Sequence, residues 1–201
     1  MWKFVRVHLS PPFNTNPSIM DNIFLQSADG KRFVASLQNL ANGMAPKQAI
    51  PTVSPTLCLY NGDSTKTYAV HYIHKYLTSG TAAAGSTLLV ALSPGVLTPH
   101  PTSNATNYSI QKLGNQSRGD SSSAKISTGV TLPNSPASPT WFAIDSDLQV
   151  AAANIGQGNR AINLSGLIAI PPGYGLGIDI ISGSGTSPLY GITIIWDEIV
   201  Y

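Results

Sequence analysis

The sequence predicts an all-β fold: an antiparallel β-sandwich, jelly-roll-like, with an extended N-terminal arm and long surface loops. Three observations predict it. The first is strict alternation near the C-terminus, where Ile162, Leu164, Ile168 and Ile170, then Leu176, Ile178 and Ile180, then Tyr190, Ile192, Ile194 and Trp196 each mark one face of a strand. The second is a series of about ten short apolar runs along the chain, each bounded by turn residues, the spacing of a sandwich or jelly roll. The third is composition. Only 10% of the 201 residues are charged, Glu198 is the sole glutamate, and Gly (18) and Pro (15) are abundant, so Lys/Glu-studded surface helices are scarce.

Taken in order, residues 2–9 alternate as a short strand, and Pro11-Pro12 stops it. Ile23–Ser27 and Lys31–Leu37 flank Asp29-Gly30, a preferred tight-turn dipeptide, which predicts a hairpin. Leu37–Met44 predicts a short helical turn, and the prolines between 45 and 55 an extended linker. Residues 1–50 are therefore read as an arm for assembly contacts and 51–201 as the sandwich. Thr56–Tyr60 and Thr65–Leu77 predict a second hairpin about Asn61-Gly62, its long strand placing Tyr68, Val70, Tyr72, His74 and Tyr76 on one face. Further strands are expected at Ser86–Leu92, Tyr108–Leu113, Lys125–Leu132, Thr140–Ile144 and Leu148–Ala153. The rest of 93–139 is Ser, Thr, Asn, Gly and Pro, read as long loops that are functional or held by a partner. Pro172-Gly173 suits a type II turn, and the short connections after residue 170 predict an antiparallel meander.

His71 and His74, three apart in a strand, point to opposite faces and share no metal. Asp145 and Asp147 lie on one face and read as a solvated turn. Asp197 and Glu198 are neighbours facing opposite ways, which does not assemble a two-carboxylate glycosidase. Gly173, Gly175 and Gly177 precede a strand, whereas a phosphate cradle needs a helix. Four Asn-x-Ser/Thr matches, at Asn104, Asn107, Asn115 and Asn163, are what chance yields in such a composition. The reading is no enzyme, no cofactor and no metal. Lone Cys58, in the run Leu57-Cys58-Leu59-Tyr60, reads as a buried thiol. A net charge of +2 without a basic cluster argues against direct nucleic-acid binding. With no apolar run near membrane length and no signal-peptide h-region, the expected place of synthesis is a cytosol, without membrane attachment. A charge-poor surface is a poor one for a free monomer, which suggests coverage by other subunits. Trp2, Phe4, Phe13, Tyr108 and Trp141 are the interface candidates, since aromatics are enriched where subunits meet.

The segment Ile168-Ala-Ile-Pro-Pro-Gly-Tyr-Gly-Leu-Gly-Ile178, followed by Gly191-Ile-Thr-Ile-Ile-Trp-Asp-Glu198, resembles the closing strands of β-sandwich structural proteins in tailed-bacteriophage virions. The resemblance covers about a fifth of the chain. It implies a non-enzymatic virion component, often trimeric. The leading expectation is a capsid cement or decoration protein that binds the major capsid protein and itself. The alternative is a tail, fibre or baseplate subunit that recognises a host glycan through aromatics such as Tyr108 and Trp141.

Overall fold

A computed structural model describes residues 25–82, 85–146, 160–182 and 185–200. The strands are β1 Arg32–Leu37, β2 Leu57–Tyr60, β3 Lys66–Ala82, β4 Ser86–Leu92, β5 Tyr108–Leu113, β6 Lys125–Ser127, β7 Phe142–Ser146, β8 Arg160–Ile170, β9 Gly175–Ser182 and β10 Gly185–Val200. They form two five-stranded sheets, ordered β5-β1-β10-β3-β8 (the first sheet) and β6-β2-β9-β4-β7 (the second), and each strand pair is antiparallel. Set β5 and β6 aside, and the orders β1-β10-β3-β8 and β2-β9-β4-β7 are the double Greek key of a jelly roll. β5 and β6 are an insertion that widens both sheets on one side. The core lies between the sheets, from Tyr68, Val70, Ile73, Ile192, Ile194 and Trp196 on one to Leu57, Leu59, Leu88, Val90, Ile178 and Ile180 on the other. Trp196 is fully buried, with ring centroids 6.0 Å from Phe33 and 6.1 Å from Tyr68.

The three C-terminal runs are strands, but they do not form a meander. β8 and β10 both flank β3, while β9 lies in the opposite sheet between β2 and β4. The turn joining β8 to β9 has the expected chemistry: Gly173 has φ +80° and Tyr174 N donates to Pro171 O at 3.1 Å. It arches between sheets and delivers β9 to a central position, where the strand is buried on both faces. The Asn61-Gly62 hairpin is likewise an arch. Neither residue has positive φ, so no type I′ turn forms; instead the buried Asn61 amide donates to Lys66 O and Ile170 O, both at 2.8 Å, tying the sheets together.

Asp29-Gly30 closes a helical turn, Leu25–Ala28, and not a hairpin. Lys31 N donates to Gln26 O and Gly30 N to Ser27 O, a Schellman cap with Gly30 at φ +69°. The same left-handed glycine serves a hairpin or a helix end, so the dipeptide does not discriminate between them. A Cβ on Gly30 would stand 2.0 Å from Arg118 O, so this cap also docks on the 115–118 loop.

β3 departs from simple alternation. Its pairing with β10 shifts between Ile195 and Trp196, and with β8 between Val70 and Tyr72, leaving His71 as a bulge. Tyr68, Val70, Ile73 and Lys75 therefore face the core, while His71, Tyr72, His74 and Tyr76 share the outer face. The expectation that His71 and His74 oppose each other fails for the same reason.

The boundary at residue 50 cuts through the sandwich. β1 is an inner strand between β5 and β10, and residues 44–56 form a strap that runs from Met44, bridged to Tyr190 of β10, past Lys47, bridged to Ile181 of β9, to the start of β2. There Lys47 Nζ donates to Asp179 Oδ2 at 2.6 Å, and Thr56 N and Oγ1 donate to the same carboxylate. The loops of 93–139 are also packed by the chain itself. Leu97 and Leu132, with Trp141, cover Cys58, Tyr60 and Ala91 in a second, smaller cluster. Burial pushes the Cys58 thiol up to about 12. The strand expected at Leu148–Ala153, the N-terminal strand at 2–9, and Trp2, Phe4 and Phe13 lie outside the described residues.

Candidate functional site

Charge is scarce, so its placement is informative. Six described charged residues, Arg32, Lys75, Asp145, Asp179, Asp197 and Glu198, are buried. Asp145, expected in a solvated turn, sits on β7 with Lys75 Nζ at 3.5 Å from its Oδ2. Apart from Lys47 and Arg160, the remaining described charges, Asp29, Lys31, Asp63, Lys66, Lys112, Arg118, Asp120 and Lys125, gather at the end of the sandwich where β3 and β6 begin and β5 and β10 finish.

Two carboxylates of β10 anchor this end from opposite faces, as their adjacency predicts. On the outer face Asp197 accepts both a bond from Arg32 Nε and one from Nη2, each at 2.7 Å, and His71 Nε2 lies 2.8 Å away. Burial alone would push the Asp197 carboxyl up, but His71 and Arg32 together hold it below the usual range. On the inner face Glu198 accepts from Ser122 Oγ, and Lys66 Nζ is 3.3 Å from its Oε2. Here burial dominates and raises the Glu198 carboxyl, with Ser122 and Lys66 pulling it only part of the way back.

Ser122 also forms part of a groove of about 660 Å³ where the inserted strands part the two sheets. Phe33 and Ala124, both buried, and Ile110 supply apolar lining; Asn104, Gln111, Lys112, Gln116, Ser121 and Lys125 supply amides, ammonium groups and a hydroxyl. The lining is braced by local bonds. Lys112 Nζ donates to Arg118 O at 2.6 Å and Gly119 O at 2.9 Å, and Ile126 N donates to Asn104 Oδ1 at 3.0 Å. No Asp or Glu lines the groove among the described residues, and Ser122 of its lining donates to Glu198.

The two described aromatic candidates serve the fold. Tyr108 opens β5 with its ring buried, and burial raises its phenol. Trp141 is half-buried, and its Nε1 donates to Thr52 O at 3.1 Å, pinning the strap. The sequence reading passed over Arg32, Lys66, Lys112, Ser122 and Lys125. Their one legible signal was rarity: in a chain this poor in charge, a Lys or Arg inside or beside a β run marks an ion pair or a site. Among the described residues no three His, Cys, Asp or Glu gather to hold a metal, and no helix is long and apolar enough to cross a membrane. No protein-family model matches the chain, and no curated protein matches it.

Proposed function

We propose that the chain is a non-enzymatic structural protein of a tailed-phage virion, a capsid cement or decoration protein that binds the assembled shell and its own copies, with a homotrimer as the working unit. The observation that carries this reading is the distribution of charge. Apart from Lys47 and Arg160, the described residues leave the flanks of the jelly roll without exposed charge, and a free monomer relies on such charge for solubility. An uncharged flank suits contact with neighbouring subunits. The fold is compatible, since jelly rolls build viral capsids among other proteins, although a fold alone does not assign a role. The mechanism is linkage: a protein that binds only the assembled capsid shifts the assembly equilibrium toward it. The experiment compares genome release on heating between complete particles and particles lacking the protein. A lower release temperature without it supports the role, and an equal one removes it.

A further inference from the structure

We infer that the groove between β5 and the Ser121–Lys125 stretch is a binding site for an acidic saccharide, a short oligosaccharide carrying a carboxylate. Its volume of about 660 Å³ falls within the range of small-molecule sites. All of the lining but Phe33 of β1 comes from the segment between β4 and β7 that carries the two inserted strands. Charge selects the ligand. Lys112 and Lys125 both line the groove, no carboxylate lines it among the described residues, and Glu198 behind Ser122 is already matched by Lys66. An anion entering here meets two ammonium groups without a competing acid on the lining.

The neutral groups then distinguish a sugar from a simple anion. Three side-chain amides, Asn104, Gln111 and Gln116, and the hydroxyl of Ser121 offer donors and acceptors in number, the complement of a polyol. Two of the amides have one end fixed and the other end unassigned: Asn104 Oδ1 accepts from Ile126 N, and Gln116 Nε2 donates to Lys112 O. Phe33, Ile110 and Ala124 supply apolar surface for the C–H face of a sugar ring. The lining is held in place before any ligand arrives, by Lys112 on Arg118 O and Gly119 O and by Ala124 N on Ser122 Oγ at 3.0 Å, which lowers the ordering cost of binding.

The test is a calorimetric and NMR titration of the full chain with trigalacturonic acid, its methyl-esterified form and a triglutamate peptide. Trigalacturonate should bind, the ester about tenfold or more weakly, as loss of a charge-assisted contact implies. Lys125→Ala and Gln111→Ala should each weaken binding about tenfold while leaving the unfolding midpoint unchanged, because among the described residues neither side chain makes a bond that braces the lining. Equal affinity for acid and ester, no binding of trigalacturonate at millimolar concentration, or unaltered affinity in both variants overturns the proposal. Triglutamate binding as tightly as trigalacturonate also overturns it, since the groove would then recognise acidic peptide.

Discussion

Asp197 and Glu198 sit side by side on β10 and respond to pH in opposite directions. Asp197 has a folded-state value below its unfolded one. The stability it contributes is complete above the unfolded value and is lost as pH falls through the folded one. Glu198 has a raised folded-state value, so its favourable contribution exists at low pH and is lost as pH rises from the unfolded value, about 4.3, through the folded one. Replacing Glu198→Gln removes that loss. Urea unfolding across a pH series should therefore show the variant gaining on the wild type as pH climbs, and a constant difference would contradict the assignment. Asp197→Ala strands the Arg32 guanidinium, itself buried, and should cost about 3–5 kcal/mol in the same measurement at neutral pH.

At the scale of elements, the 44–56 strap depends on Asp179, a fully buried carboxylate holding Lys47 and Thr56 together. Asp179→Ala should free the strap locally and speed tryptic cleavage after Lys47, with wild-type digestion rates arguing that other contacts suffice. The strands themselves were legible. Tyr108–Leu113 and Ser86–Leu92 were read with the bounds they have, because period-two alternation is a local property of one sheet face. Which sheet a strand joins was not legible. Pro172-Gly173 makes the same turn in an arch as in a hairpin, and Asn61 reveals its role only when Ile170 O is in place to accept from it. The His71 bulge was hidden too, since one extra residue in β3 leaves each neighbouring run looking regular while exchanging its faces. The groove was illegible for a related reason. Its lining comes from β1, β5 and residues 104 and 116–125, and only long-range pairing brings those low-complexity segments together.

For the whole molecule, the sandwich orders its own loops. Leu97, Tyr108 and Leu132 are buried within the chain, so the packing of 93–139 is not an argument for a partner. What points outward is the concentration of exposed charge at one end of a jelly roll whose described flanks, Lys47 and Arg160 aside, carry none, and the polar groove at that same end. On the proposed account the flanks meet other subunits while the charged end faces solvent. The direct measurement is add-back. Capsids depleted of this protein are supplied with increasing amounts of the purified chain, and the temperature of genome release is recorded. The account predicts a release temperature that rises with concentration and saturates as sites fill. A release temperature that does not move at any concentration would contradict it.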